Sequence, residues 1–558
     1  MPEPTPSAPP PPPLEKSAAT EAERDRGRIL ARAGVVGAGT LASRVLGLAR
    51  DMAWAAIFTR EETDAFFVAF TIPNALRQLL GEGAVSSAVM PILAGKLAKE
   101  GDDAAKHFFA RVRGASWAAL TLVTVLGMVF ARPLCELFAS GYHERPAEFE
   151  RTVDLTRIVF PYIFFMGTTA LGVAALNAKR KFAVAAFAPG LLNVAFLVAA
   201  FGLPPILAAN GVDRAYALAI GALVGGLLQV VAQWPALRAI GFASRPIFDL
   251  RDAGVRQVFR RIAPLTFGIG VYYIDLILSR RFLSELGPGA QSYFSWAMRL
   301  CDLPLGVFVM ALSTATLPSL SALAAEGARE EMTKTWAHGM RLALFVAIPS
   351  SVALASLAEP LVVTLFQRGE FDAVAAHETA RALVWQGAGL WTVAAVRQLV
   401  PAFHALGDTR TPVIVSAIDL VVFIVLAVTL KAPFGHVGIS MAVSGASFAQ
   451  MVLLLAMLAR RLGTLRGREL AFSISRTVAG SLVAAVGGWG AARLLWPASP
   501  ASGAAGQLGR ALPGVVGSVV FAALFVFAAW GVRAPELDMV LGGLARRLGR
   551  SARVRGRR

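Results

Sequence analysis

The chain has few of the residues that usually build enzyme sites. It contains two cysteines, Cys135 and Cys301, and six histidines among 558 residues. Because these residues are scattered, they indicate no disulfide framework, no metal-ligand spacing and no Ser/His/Asp arrangement. Two adjacent acids in a basic loop, Asp102 and Asp103, are better explained as a solvated turn than as a Mg²⁺ site. We therefore expect a protein that is not an enzyme and has no bound cofactor.

Charged residues are also scarce, at 16% of the chain, whereas 56% of the residues are hydrophobic and the mean hydropathy is +0.60. Reading apolar windows of about 20 residues, the length that crosses a bilayer, predicts about fourteen spans. This composition predicts an all-α polytopic membrane protein. The net charge of +18 lies in loops and tails without interleaved stacking aromatics, so no nucleic-acid partner is expected.

The basic residues predict the orientation. They are concentrated in every second loop and in the C-terminal tail, whereas the alternate loops, such as 140–150 and 203–213, have few. Loops rich in Lys and Arg stay in the cytoplasm, so we expect both termini there. The basic segments are 96–113, 179–181, 238–261, 460–468 and 546–558.

The chain also repeats itself. Pro91 and Pro318, Pro133 and Pro360, and Asn177 and His404 occupy similar short motifs, and each pair is separated by 227 residues. Six spans per repeat is an even number, so the two halves should have the same orientation, with a binding site between them. The predicted parts are a disordered Pro-rich cytoplasmic tail (1–30), an N-lobe with spans 1–6 (31–245), a C-lobe with spans 7–12 (246–465), spans 13–14 (466–535) and a basic cytoplasmic tail (536–558).

Five arginines lie inside apparent spans. A guanidinium is always charged, and placing it in hydrocarbon costs several kcal/mol. Such residues usually face a water-filled cavity, and several of them together favour an anionic passenger, particularly a phosphate. Either substrate contact or local pairing, as in Arg50 with Asp51, would explain them. They are Arg44, Arg50, Arg77, Arg299 and Arg397, and for the last we favour a helix-end side chain that reaches the interface.

Two acids, Asp275 and Asp419, fall within predicted spans 7 and 11. A carboxylate inside a membrane is a candidate functional group by default, and a site for a coupling cation, Na⁺ or H⁺, is the natural hypothesis. The alternative is structural, because Arg280 and Arg281 are close enough in sequence to pair with Asp275.

Several segments resemble one family. The run from Ser43 to Asp51 resembles the first-helix signature of the MurJ (MviN) lipid II flippases, which belong to the MOP exporter superfamily. Further similar segments follow in the family's order, so the likeness covers about residues 30 to 535. They are 63–70, 73–77, 82–84, 187–193, 298–300, 317–320 and 407–412. The Pro-rich head, the arginine-rich tail and Met298, where an acid is often expected, depart from the pattern.

The resemblance implies a fourteen-span flippase that moves undecaprenyl-pyrophosphate-linked peptidoglycan precursor, lipid II, from the inner to the outer leaflet by alternating access. It implies a bacterial inner-membrane location, lipid II and membrane lipids as partners, the cell-wall synthesis machinery as a candidate partner, and a groove at spans 13 and 14 for the lipid tail. The alternatives are a flippase for another undecaprenyl-linked oligosaccharide and a cation-coupled multidrug exporter. The implied substrate-binding residues are Arg44, Arg50, Arg77 and Arg299, with Asp64 and Glu82 as polar companions.

Overall fold

The computed structural model describes residues 39–77, 84–463, 465–496 and 503–540. Over these ranges the chain is helical with short connections, and they contain no β-strand. The tail at 1–30, most of the tail at 536–558 and the predicted site residue Glu82 lie outside the described residues. The helices are α1 (39–57), α2 (Arg60–Arg77), α3 (Ala84–Lys99), α4 (Gly101–Val129), α5 (Ala131–Ala139), α6 (Pro146–Val159), α7 (Tyr162–Ala178), α8 (Phe182–Ala209), α9 (Tyr216–Ala239), α10 (Ala253–Ser284), α11 (Ala290–Pro304), α12 (Met310–Ala325), α13 (Arg329–Ser356), α14 (Ala358–Phe366), α15 (Ala373–Ala405), α16 (Arg410–Phe434), α17 (His436–Leu462), α18 (Gly467–Leu494) and α19 (Gly503–Gly531).

The prediction of an all-α polytopic membrane protein is confirmed. Within the described ranges, nine helical stretches are long and apolar enough to cross a membrane by length and composition. α6 and α7 form one of these stretches, Pro146–Ala178. The remaining long helices carry more polar residues, which include the arginines that stood out in the sequence. The predicted count of about fourteen spans is consistent with this arrangement.

The internal repeat appears in the helix bounds. A shift of 227 residues moves the bounds of α5, 131 and 139, onto 358 and 366, the bounds of α14. The same shift moves the start of α6 and the end of α7, 146 and 178, onto 373 and 405, the bounds of α15. It also moves the end of α1, residue 57, onto the end of α10, residue 284. α1 and α10 are therefore repeat partners, as are α2 and α11, and α8 and α16.

Proline shapes the helices that the sequence marked as broken. α6 ends at Val159, and α7 begins after Pro161. α11 ends at Pro304, and a π-helical turn, Leu305–Val309, joins it to α12. A proline removes one backbone donor and crowds the preceding turn, so a local change of helix type is the expected relief. Pro73 by contrast lies inside α2, and the side chain of Pro264 is outside the described residues.

Small residues let the helices approach closely. Gly221 and Gly225 on α9 face α8, and a Cβ added to either would lie 2.9 Å from Phe196 or 2.6 Å from Leu192. Without a hydrophobic driving force in lipid, close van der Waals packing of this kind holds helices together. Between the lobes, Phe67 of α2 packs edge-on against Trp296 of α11, with ring centroids 4.9 Å apart. α18 and α19 pack on each other and on α13 and α14.

Candidate functional site

Arg50 is anchored inside the N-lobe. Its Nε and Nη2 donate to Oδ1 of Asp51 at 3.0 and 2.7 Å, and its Nη1 donates to Oδ1 of Asn193 on α8 at 2.9 Å. The guanidinium carbon lies 4.6 Å from the ring centroid of Trp54. The amide of Asn193 donates in turn to the carbonyl of Ser43 at 2.8 Å. These bonds offset the desolvation of a buried charge and fix α1 against α8.

Asp51 extends this group across the lobe interface. Its second oxygen, Oδ2, lies 3.8 Å from Nε of Arg299 on α11, while the side chain of Asp51 is only 5% exposed. The Arg299 side chain is 40% exposed, so it is the more accessible of the two arginines beside Asp51. One buried carboxylate therefore sits between one buried and one accessible arginine, each from a different lobe.

Arg44 and Asp302 form the next part of the site. Nη1 of Arg44 donates to the carbonyl oxygen of Asp302 at 3.3 Å, while its Nε is buried without a hydrogen-bond partner. Gly306 lies in the π-helical turn, and a Cβ there would overlap the Arg44 guanidinium. The glycine thus lets the guanidinium lie against the backbone. The carboxylate of Asp302 interacts electrostatically with Arg299, Arg397 and Arg44.

Arg397 is therefore part of this group, although the sequence favoured a helix-end position. It lies inside α15, eight residues before the helix ends at Ala405, and it interacts with Asp302 on α11. Its partner comes from another helix of the C-lobe, so the spacing of residues around Arg397 gave no signal for it.

The arginine cluster, defined as Arg44, Arg50, Arg299 and Arg397 with Asp51 and Asp302, carries four positive and two negative charges and is thus positive overall. Its accessible members come from both lobes. Planar guanidinium forks bind phosphate oxygens in pairs of parallel hydrogen bonds. In a space of low dielectric constant such bonds are stronger than in water, so the arrangement suits a phosphorylated anion.

Two other predicted site residues, Arg77 and Asp64, make different contacts. Arg77 is in the last turn of α2, where its Nε donates to Oδ1 of Asn74 at 3.0 Å. Asp64 is 1% exposed and lies near the end of the molecule where α1 ends and α2 begins, which we call the distal end. Arg44 precedes the end of α1 by 13 residues, a rise of about 20 Å along a helix. Asp64 is therefore separated from the arginine cluster by a large part of the helix.

At the distal end, Asp64 joins the two lobes. Its Oδ2 accepts from the backbone N–H of Gly289 at 2.6 Å, and its Oδ1 accepts from that of Ser292 at 2.7 Å. A carboxylate at these positions caps the first turn of α11 and complements its dipole. Thr63 and Ser292 share a hydrogen bond at 2.7 Å, and Arg60 pairs with Asp372 at 2.8 Å. We call these contacts the distal lock.

The two intramembrane acids lie together in the C-lobe. Asp275 on α10 interacts electrostatically with Asp419 on α16, and Oδ1 of Asp419 is buried without a hydrogen-bond partner. Arg280, considered as a partner of Asp275, donates to Gln291 and Ser295 of α11 at 3.0 and 2.8 Å. Among the described residues, no group of three or more His, Cys, Asp or Glu could hold a metal ion. Any cation here would need backbone or hydroxyl oxygens as further ligands.

Comparisons with known proteins agree with one another. The family described as "Lipid II flippase MurJ" matches residues 54–498. The "Lipid II flippase MurJ" of Burkholderia cenocepacia is 36% identical over 498 residues, 88% of this chain and 95% of that protein. The "Probable lipid II flippase MurJ" of Vibrio cholerae is 35% identical over 435 residues, 76% of this chain and 82% of that protein.

Solved structures show the same fold. One titled "Lipid II flippase MurJ, inward closed conformation" superposes with a TM-score of 0.70 at 22% identity, covering 89% of this chain and 99% of that one. An inward-facing multidrug resistance MATE family transporter of the MOP superfamily reaches a TM-score of 0.57 at 16% identity, covering 76% and 96%. The likeness to the MATE transporter concerns the fold alone.

Proposed function

The chain belongs to the MurJ family of lipid II flippases, and from this premise we propose that it moves lipid II across the membrane between its two lobes. It is a transporter, so no covalent bond of the passenger changes. The observation that carries the proposal is the arginine cluster, whose accessible guanidinium groups come from both lobes and suit a pyrophosphate. A multidrug exporter of cations would more naturally line this space with acids and aromatic rings.

In the proposed mechanism the pyrophosphate competes for the arginines that now bind aspartates. Arg299 is the first contact because its side chain is 40% exposed and its pair with Asp51 is long, at 3.8 Å. Arg44 is the second contact, and its Nε, which has no hydrogen-bond partner and is buried in this lobe arrangement, becomes available when the lobes move. Once the anion neutralises these guanidinium groups, the positive charges of the two lobes repel less, and the lobes can close around the headgroup.

The distal lock supports alternating access. Its hydrogen bonds link α2 to α11 and close the distal end, so they must break before the site can open on that side. The cap that Asp64 provides to α11 is worth about 0.5–2 kcal/mol by analogy with other caps. An interaction of that size is strong enough to set the balance between two lobe arrangements, yet substrate binding can reverse it.

The proposed location is the bacterial cytoplasmic membrane, with the basic loops and both termini in the cytoplasm and the distal end facing outward. The positive-inside rule supports this orientation. A membrane potential of 100 mV, negative inside, is worth about 2.3 kcal/mol per elementary charge moved fully across, and would help expel an anion. Contact with the cell-wall synthesis machinery is a further prediction, which co-purification from membranes would test.

The remaining assignments follow the two lobes. We assign residues 31–245 and 246–465 to the lobes, and residues 466–535, with α18 and α19, to a groove for the lipid tail. Exposed apolar side chains on both helices, among them Val486 and Phe527, support contact with acyl chains. The pair Asp275 and Asp419 is the proposed site of coupling to Na⁺ or H⁺, because two neighbouring acids in a membrane attract a cation.

Complementation tests the function as a whole. A bacterium whose own lipid II flippase can be depleted should grow when it expresses this chain. Arg299→Ala, present in the membrane at normal abundance, should not restore growth. If the wild-type chain is inserted normally but does not restore growth, while it restores export of another undecaprenyl-linked oligosaccharide, the lipid II assignment is wrong.

A further inference from the structure

A second arginine, remote from the cluster between the lobes, is buried without a carboxylate. Arg113 on α4 is 3% exposed, and its one hydrogen bond runs from Nη1 to the carbonyl of Phe242 at 3.1 Å. Its Nε and Nη2 are buried and have no partner, and none of the ion pairs between described residues includes it. An unpaired buried charge costs several kcal/mol, so a group that neutralises it is to be expected.

Other unpartnered polar atoms face the same space. Gln233 on α9 is 1% exposed, and both its Nε2 and its Oε1 lack partners. Nε1 of Trp117 on α4 and Oγ1 of Thr168 on α7 are also buried without partners. All four residues line one pocket between α4, α7 and α9. Most of these atoms are donors and one side chain is a cation, so the pocket favours an anion.

The shape of the pocket limits what can enter. It holds about 340 Å³ of space counted up to its open mouth, but only about 20 Å³ accepts the centre of a water-sized group. A phosphate oxygen is close to a water molecule in size. One oxygen can therefore reach the guanidinium while the rest of a larger group stays at the mouth. Gly172 is needed for this geometry, because a Cβ there would overlap Oε1 of Gln233.

The surroundings indicate a lipid. Trp234 lies at the pocket and is 42% exposed on the outer face of α9, and tryptophan is enriched where membranes meet water. The carbonyl that Arg113 binds lies three residues beyond the end of α9, in the loop that carries Arg245 and Arg251. Basic loops of this kind attract anionic lipids. The pocket thus opens at headgroup level, in the leaflet that we assign to the cytoplasm.

We propose that this pocket binds a phosphate oxygen of an anionic membrane lipid, through Arg113 and Gln233, on the outer face of the N-lobe. The bound phosphate neutralises Arg113 and accepts hydrogen bonds from its Nε and Nη2. The lipid holds α4, α7 and α9 together at the membrane surface. The site is separate from the arginine cluster and does not depend on which passenger the lobes carry.

Thermal unfolding of the full chain in nanodiscs provides the test. We expect phosphatidylglycerol, compared with phosphatidylcholine alone, to raise the Tm of the wild-type protein. Arg113→Met should weaken the apparent affinity for phosphatidylglycerol about tenfold or more, since hydrogen bonds to charged groups are among the strongest in proteins. Arg245→Met, which removes an exposed charge from the neighbouring loop, should keep the wild-type response.

A second variant tests the proposal even if Arg113→Met does not fold. Gln233→Leu keeps every charge but removes the amide, so it should also reduce the phosphatidylglycerol response. If the pocket holds water alone, Gln233→Leu should unfold at the same or a higher temperature in both lipids with an unchanged response, which overturns the proposal. A response in phosphatidylcholine nanodiscs to inorganic phosphate, equal to that to phosphatidylglycerol, would overturn the assignment to a lipid.

Discussion

Two junctions related by the internal repeat hold different charged groups. In the N-lobe, α1 meets α8 through Arg50 and Asn193, whose hydrogen bond is 2.9 Å long. In the C-lobe, their repeat partners α10 and α16 meet at Asp275 and Asp419. After the shift of 227 residues, Asp275 and Asp419 correspond to positions 48 and 192, within two residues of Arg50 and Asn193.

The comparison shows that the two repeats share the arrangement of their helices but not the charge of the residues at the junction. The repeat-related helices place their polar residues within two positions of one another in both lobes. The N-lobe pair presents a cation that is held by Asp51, whereas the C-lobe pair presents two acids with one oxygen unpartnered. One junction is thus suited to an anionic passenger and the other to a cation. We infer that substrate binding and coupling are divided between the lobes.

The largest effect should follow from removing the N-lobe charge. Arg50→Ala deletes three donated hydrogen bonds and leaves the buried Asp51 without its main partner, and breaking a buried pair costs about 3–5 kcal/mol. We expect transport in proteoliposomes to fall at least a hundredfold, with reduced thermal stability. Arg50→Lys keeps the charge but not the fork, so partial activity should return. Arg238→Ala, at an exposed position in the last turn of α9, serves as the control and should transport normally.

The C-lobe junction should respond differently. Asp275→Asn and Asp419→Asn remove one negative charge each with little change of shape. If this pair binds the coupling cation, both variants should flatten the dependence of transport on a sodium or proton gradient while headgroup binding persists. The measurement is the initial rate of flipping at imposed gradients. An unchanged gradient dependence in both variants would make the pair structural and remove the contrast between the junctions.

A smaller effect is expected at the distal lock, where the lobes meet outside both junctions. In Asp64→Asn only one side-chain oxygen can accept from the two backbone N–H groups. The variant should therefore lose about 0.5–2 kcal/mol of the stabilisation that the cap gives to α11. This shifts the equilibrium between lobe arrangements by roughly two- to thirtyfold toward opening of the distal end. Labelling of a cysteine placed at Ala290, a buried position in the first turn of α11, should then become faster in Asp64→Asn. Equal labelling rates would show that the cap does not hold the lobes together.

The smallest effect on transport is expected from Asp408, which lies just before α16 in a loop outside the membrane. Asp408 accepts hydrogen bonds from the backbone N–H and the hydroxyl of Thr411 at 3.0 and 2.7 Å, and it pairs with Arg461 at 2.8 Å. The bond from the Thr411 backbone is the main reason that the pKa of Asp408 is lowered from its ordinary value. Asp408→Ala should cost about 1 kcal/mol of stability, as for other caps, without changing gradient dependence.

The sign of the pH effect follows from that lowered pKa. The stabilisation is present above the ordinary aspartate pKa of about 3.9 and is lost as the pH falls through the lower folded value. The difference in Tm between wild type and Asp408→Ala should therefore be constant near neutral pH and shrink below about pH 4. Because Asp408 precedes α16, the helix that carries Asp419, and accepts hydrogen bonds from its first turn, this variant separates loss of helix stability from loss of coupling. A flattened gradient response in Asp408→Ala would mean that destabilising α16 alone produces the effect.

The sequence predicted the parts of this site that stand out against an apolar background. Arg44, Arg50 and Arg299 were identifiable because charge inside a span is costly, and the repeat followed from landmarks at one spacing. The local pair of Arg50 with Asp51 was also expected from the sequence and is present. Partners from other helices were not predictable, because the contacts of Asn193 with Arg50 and of Asp302 with Arg397 depend on how helices distant in sequence pack. Asp64 was named only through the family resemblance, and its role as a cap of α11 depends on the packing of α2 against α11.

Arg113 is a second residue whose surroundings could not be predicted from the sequence. In the sequence it is one of several basic residues in a cytoplasmic segment and contributes only to the predicted orientation. Its burial depends on the way in which α4, α7 and α9 surround it. The spacing of residues in the sequence does not indicate that a guanidinium is buried without a partner. Met298, by contrast, was a visible departure from the family pattern. In the structure the acid nearest to Arg299 comes from α1, as Asp51.

The most direct test of the central claim is the rate of lipid II flipping by purified Arg299→Ala and Arg299→Lys in proteoliposomes. Arg299 makes no short ion pair, so its replacement should leave folding intact, unlike that of Arg50. We predict that Arg299→Ala loses about ten- to a hundredfold in rate and in headgroup binding, as expected for a charged hydrogen bond of about 1.5–3 kcal/mol, and that Arg299→Lys recovers only part of it. Normal folding together with the wild-type rate in Arg299→Ala would contradict the claim that this cluster binds the passenger.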